Sequence, residues 1–168
     1  MSSSEEILTV LIPLKGRDEY TVRISKYLNH ISTPFRVIFA DGGNSPYIEN
    51  FLKDKSNLPN LKYDYLRYPY DETLGDFHSK MAAATMTLKT PYVLLHDNDD
   101  FFITETIQKC ISFLNQNPDY NTARGKKYDL HVAHGVYGQP SITGEMYTEY
   151  PNPVTADTVH ARLLDQCS

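Results

Sequence analysis

The sequence predicts an α/β fold: a mostly parallel sheet with helices on both faces. Three observations carry this reading. Apolar runs of strand length alternate with helix-period stripes through the first two-thirds of the chain. The first of these runs, residues 7–14, is continuously apolar, as in a strand covered on both sides. The connections between them are short, which implies right-handed β-α-β crossovers.

Each element follows from its residues. The run "ILTVLIPL" at residues 7–14 is the first strand. Asp18 is then expected to cap a helix whose buried stripe is Tyr20, Ile24, Tyr27, Leu28 and Ile31, stopped by Pro34. "FRVIFA" at 35–40 is the second strand, closed by "DGGNSP". There Ser45 is placed to cap, Pro46 takes the first helical position, and Ile48, Phe51 and Leu52 form the buried side. "LKYDYL" at 61–66 alternates and reads as a strand nearer an edge. A helix over 76–88 turns Phe77, Met81, Ala84 and Leu88 inward. A buried strand at 92–96 follows, then an amphipathic helix over 104–115 with Ile107, Ile111 and Leu114 in register. Beyond it lie a strand within 129–138, a loop rich in Gly, Pro and Thr, and a final helix from Thr155.

The totals narrow the function classes. With 168 residues the chain is expected to form a single domain over 1–168, with a β-α core at 6–115 and a later segment at 116–168. A net charge of −5 argues against nucleic acid as a partner, because phosphate neutralisation needs clustered Lys and Arg. The one basic clump, "RGKKY" with Arg124, Lys126 and Lys127, reads as a solvated turn or a diphosphate contact. Cys110 and Cys167 have no C-x-x-C neighbour, so no zinc site or disulfide framework is signalled, and Cys110 reads as a small core residue. The N-terminal "MSSSEEILTVLIPL" lacks a basic n-region and its apolar run is too short to span a bilayer. The expectation is a cytoplasmic protein with no membrane span.

In an open parallel sheet, ligands sit beyond the carboxyl ends of the strands. The first strand here ends in "KGRDE", the second in "DGGN" and the fourth in "DNDD". These polar sets are distant in sequence, and the predicted topology brings them to one rim. Carboxylates packed as closely as Asp97, Asp99 and Asp100 repel one another unless a cation neutralises them. A hard divalent ion, Mn²⁺ or Mg²⁺, suits such oxygen donors and keeps positions open for phosphate oxygens. An EF-hand does not fit, because its sixth position would be Phe102 and its twelfth Gln108.

The stretches "LTVLIPLKGRDEY", "VIFADGGNS" and "TPYVLLHDNDDFF" together resemble the start of a family 2 glycosyltransferase of the GT-A, Rossmann-like fold. The resemblance covers residues 7–114. It implies a metal-dependent hexosyltransferase that moves a sugar from a nucleotide-sugar donor, UDP-linked by preference, to an acceptor hydroxyl on a glycan or other molecule. It implies that Pro13 and Leu14 flank the base, that Arg17 is a polar contact just after them, and that Asp41 hydrogen-bonds the uracil. Asp97, Asn98 and Asp99 match its D-x-D element, in which the first carboxylate lies near the ribose and the last holds the metal. Asp100 is the extra acid that often follows. Gly75, Asp76 and Lys80 fall where the family places residues near the sugar-nucleotide.

The chain departs from the family at "PLKG" and at the single aspartate of "ADGGN". It also ends near Ser168, where typical members continue, so it is expected to be either a truncated or an unusually small transferase. The implied chemistry is inverting, with an acidic base from the late segment: Asp157 first, then Glu145 or Glu149. His160 is the candidate for an additional metal ligand, while His78, His96, His131 and His134 stand singly. Two other classes stay open: a nucleotidyltransferase, disfavoured by the single Gly in "PLKGRDEY", and a non-catalytic sugar-nucleotide-binding module.

Overall fold

This computed structural model describes residues 6–125 with their side chains and the backbone of residues 127–131 and 141–146. The chain divides into two compact units, Met1–Phe101 and Phe102–Ser168. The expected boundary between core and later segment lay instead at residue 115, so the helix that follows the acidic turn groups with the second unit.

In the first unit, β1 (Leu8–Leu14), α1 (Asp18–His30), β2 (Arg36–Asp41), α2 (Pro46–Lys53), β3 (Tyr63–Arg67), α3 (Leu74–Thr85) and β4 (Tyr92–Leu95) follow in order. The strands form one four-stranded parallel sheet in the order β3-β2-β1-β4. β1 and β2 are buried almost throughout, which is why their sequences are continuously apolar. The fold class is therefore the expected one.

Helices cover both faces. α3 packs over Leu11, Ile38 and Ala40 through Ala84, with Met81 and Leu88 beside it. The opposite face carries Phe39, whose ring meets Tyr63 edge-on, and the Tyr63 hydroxyl donates to the Leu52 carbonyl of α2. α1 packs beside α2 on that face. The chain steps outward from β1 to β3 along one face, then crosses the other to return on the far side of β1. Strand order therefore reverses between β1 and β4.

Local chemistry sets the element ends, and several differ from the sequence reading. Asp18 is the first residue of α1 and not its cap. Arg17 holds the cap position in the left-handed region (φ 55°, ψ 49°) with no side-chain cap bond. The buried stripe of α1 is Thr21, Ile24, Ser25 and Leu28, rotated from the one expected, because Tyr20 and Tyr27 lie half-buried at its edge. Ser45 caps α2 with Pro46 after it, as its sequence indicates. α3 starts earlier than residue 76, because Thr73 and Asp76 form a reciprocal capping box. β4 is not the buried strand its residues suggest: Val93 and Leu95 are 43% and 63% exposed on one face.

In the second unit, α4 (Thr104–Gln116) precedes β5 (Lys127–His131) and β6 (Ser141–Met146), which pair antiparallel with a register shift at Asp129/Leu130. β6 falls where a loop was expected. Burial pushes the Cys110 thiol pKa up, and Cys110 is half-buried and not fully in a core. Lys126, the final helix from Thr155, Asp157, His160, Glu149, His134 and Cys167 lie outside the described residues, and Glu145 is described only as backbone in β6.

Candidate functional site

Strand order reverses between β1 and β4, the place where open parallel sheets generally receive ligands, and polar turns follow the carboxyl ends of these strands. The turn after β1 is Lys15-Gly16-Arg17. Gly16 and Arg17 are both left-handed, at φ 63° and 55°. Glycine accepts that backbone without penalty, while arginine costs on the order of 1 kcal/mol there. Arg17 is held in it because its carbonyl accepts the Tyr20 and Thr21 amides, each at 3.1 Å.

From that position Arg17 reaches the turn after β4. Its Nη1 donates to Asp99 Oδ2 at 2.5 Å. Arg23, one turn into α1, donates to the Asp99 carbonyl at 3.1 Å. The Arg23 guanidinium lies against the Tyr20 and Phe101 rings, at 4.6 and 5.1 Å from their centroids. Phe101 in turn meets Tyr27 edge-on at 4.8 Å. Asn98 is buried and donates to the Thr21 hydroxyl at 3.0 Å. The acidic turn is thus pinned to α1 through its backbone, its asparagine and its phenylalanine. Its carboxylates are left at the surface: Asp97 is exposed, Asp99 and Asp100 half-exposed. Burial holds the neighbouring His96 imidazole below its ordinary pKa, against the opposing pull of Asp100 and then of Asp97 and Asp99.

The turn after β2 is built around Asp41, which is 4% exposed. Its Oδ1 accepts the Gly43 amide at 2.7 Å and its Oδ2 accepts the Tyr65 hydroxyl at 2.5 Å. Burial first, then the Asp41 carboxylate, pushes the Tyr65 phenol pKa far up, so Tyr65 stays a donor. Arg67 donates to the Asp41 carbonyl at 3.2 Å. A Cβ at Gly43 would stand 3.1 Å from Asp41 Oδ1 and 3.3 Å from the Gly16 amide nitrogen, so the two turns pass closely.

Beneath the rim lies a buried ion pair. Lys80, 3% exposed, is paired with Asp71, also 3% exposed, and donates to the Leu14 carbonyl at 3.3 Å. Lys15 donates to the Asp71 carbonyl. The Asp71 carboxylate occupies the space a Cβ on Gly42 would need. Pro13 is half-buried within β1, opposite Ala40, and Leu14 closes the strand with its carbonyl shared between the Gly42 amide and Lys80.

The structure thus gathers Arg17 with Asp99, sets Asn98 behind them, and seats Asp41 on the same rim. Gly75 and Asp76 lie in the first turn of α3, where Asp76 completes the capping box. Asp76 Oδ2 accepts the Glu72 and Thr73 amides and the Thr73 hydroxyl, and these bonds, chiefly from Thr73, lower its carboxyl pKa. Sequence reasoning missed Asp71, Tyr65, Arg67, Thr21 and Arg23. One signal was present for Lys80: a lysine at 80 shares the stripe of Phe77 and Ala84, and a buried ammonium demands a counter-charge.

Among the described residues, no three His, Cys, Asp or Glu side chains are gathered as a metal site. The carboxylate oxygens of the acidic turn fit a divalent ion only as a shared one, held by one or two protein carboxylates and completed by phosphate oxygens and water. Asp99 Oδ2 is already paired with the Arg17 guanidinium. Among the described residues, no helix is long and apolar enough to cross a membrane. The chain matches no protein-family model and, in a comparison with curated proteins, none of those either.

Proposed function

We propose that this chain is a metal-dependent glycosyltransferase, or the nucleotide-binding part of one, that takes a nucleotide-sugar donor at the β1/β4 crevice and passes the sugar to an acceptor hydroxyl. The observation that carries the reading is the meeting of Arg17 and Asp99 at the point where strand order reverses, with Asp41 on the same rim. Such crevices in parallel sheets receive nucleotides.

Each residue then has a task. Asp41 is an acceptor-only group whose oxygens keep lone pairs beyond those given to Gly43 and Tyr65, suited to an imino N–H of uracil. Tyr65 and Arg67 fix its direction. Lys15 and Arg17 are exposed cations within the rim, suited to a diphosphate. Asp97 and Asp99 would hold Mn²⁺ or Mg²⁺, with Asp100 alongside. When bound, the ion supplies charge neutralisation on the departing diphosphate. For an inverting reaction a carboxylate must take the acceptor's proton, and Asp157 is the proposed base, ahead of Glu145 and Glu149.

The test is thermal stabilisation by UDP with and without Mn²⁺, followed by donor hydrolysis over a panel of UDP- and GDP-sugars. The expected result is Mn²⁺-dependent stabilisation by UDP that disappears in Asp99→Ala and weakens at least about tenfold in Asp41→Ala, the loss of one charged hydrogen-bond acceptor. Stabilisation without donor hydrolysis would support a binding module, and UTP binding with pyrophosphate release a nucleotidyltransferase. No response to UDP under any condition would refute the reading.

A further inference from the structure

We propose that Tyr65 is a positioning residue for base selection: its hydroxyl caps one oxygen of the Asp41 carboxylate, so that Asp41 reads a single base N–H and takes uracil in preference to guanine. The inference rests on the reading above for a nucleotide at this rim, and it deepens that reading by naming what sets the base.

Three observations support it. First, the parallel register sets Tyr65 opposite Phe39 and Arg67 opposite Asp41. Tyr65 therefore stands one step behind Asp41 on the same face of the sheet, and its hydroxyl donates to Asp41 Oδ2 at 2.5 Å. Second, that hydroxyl stays a donor. Burial, and then the Asp41 carboxylate itself, push the phenol pKa far up. Third, Asp41 does not depend on Tyr65 for its place. Its Oδ1 accepts the Gly43 amide at 2.7 Å, and its main-chain carbonyl accepts the Tyr68 amide at 2.7 Å and Arg67 at 3.2 Å. Removing the hydroxyl thus uncaps Oδ2 and leaves the carboxylate held.

Selection follows from donor counts. An ionised carboxylate only accepts hydrogen bonds. With both oxygens available it suits guanine, whose N1–H and N2–H donors lie side by side as those of a guanidinium do. With Oδ2 capped, a carboxylate that is 4% exposed offers a base its Oδ1 alone. Uracil presents one imino N–H there, while cytosine presents a ring acceptor that leaves the carboxylate unpaired.

The experiment titrates UDP, GDP and CDP into the full chain by calorimetry, with Mn²⁺ present throughout. The three ligands share the diphosphate, so their affinity ratios report the base. Wild type is compared with Tyr65→Phe, which keeps the ring and loses the hydroxyl, and with Tyr63→Phe. The Tyr63 hydroxyl lies on the same strand and donates to the Leu52 carbonyl at 2.8 Å, away from Asp41. The expected result is tighter binding of UDP than of GDP or CDP by wild type, and a preference for UDP over GDP that falls roughly tenfold in Tyr65→Phe, the scale of one hydrogen bond to a charged group. Tyr63→Phe is expected to melt lower with its ratios unchanged. An unchanged ratio in Tyr65→Phe, an equal fall in Tyr63→Phe, or a wild type that prefers GDP or CDP overturns the inference and leaves a nucleotide at the rim. No binding of any of these nucleotides by wild type overturns the inference and the nucleotide reading together.

Discussion

Replacing Asp71 with asparagine is expected to destabilise the protein by about 3–5 kcal/mol, the cost of leaving a buried charge without its partner. The size follows from the surroundings of Lys80. The paired side chains retain only 1% and 4% of their exposure. Without the carboxylate, the Lys80 ammonium keeps the Leu14 carbonyl at 3.3 Å and the Phe77 ring at 5.3 Å. Neither offsets the desolvation of a full charge. By contrast, the exposed Arg17–Asp99 pair is worth at most about 1 kcal/mol to the fold. Equilibrium urea unfolding, followed by far-ultraviolet circular dichroism, measures the difference. Since a domain's whole stability is about 5–15 kcal/mol, the shift in midpoint is large. The double variant Asp71→Asn with Lys80→Met removes both charges and is expected to be clearly more stable than Asp71→Asn alone. A loss below about 1 kcal/mol in the single variant, or additive losses in the double, would refute the claim that this pair is buried and coupled.

Two further outcomes follow, one at the rim and one at the start of α3. Gly42→Ala puts a methyl into the Asp71 carboxylate, so it is expected to destabilise by about 1–3 kcal/mol, and by markedly less in an Asp71→Gly background where the space is open. Asp76 titrates below its usual 3.8 because the capping bonds favour its charged form. Its contribution is therefore present above the unfolded value and lost as pH falls through the lower folded one. Asp76→Asn should weaken the fold at neutral pH and leave the acid end of the stability curve nearly unchanged, as read by thermal melts across the pH range.

The alternation of elements was legible because continuous apolar runs and helical stripes report burial directly, and β1 and β2 are buried on both faces. The rim was legible because Lys15–Arg17, Asp41 and Asp97–Asp100 each follow a strand. What could not be read was pairing at a distance. Asp71 carries no local signal, since its meaning comes from Lys80 on the next helix and from Gly42 at the end of the neighbouring strand. Tyr65 becomes a partner of Asp41 only once parallel register sets Asp41 opposite Arg67, two residues along the same strand face. Val93 and Leu95 read as core because their composition does not report which face is covered. Asp76 shows a role the motif did not signal: its carboxylate starts a helix through a capping box with Thr73.

The strand order also has a consequence in time. Arg17 and Asp99 are separated by 82 positions, and Asn98 from Thr21 by 77, so their contacts close some of the longest loops in the first unit. Closing such loops is entropically expensive and tends to come late. A molecule in which β1, β2 and β3 have paired and β4 has not yet joined carries half a rim. Ligand capture at this crevice would then report that folding is finished.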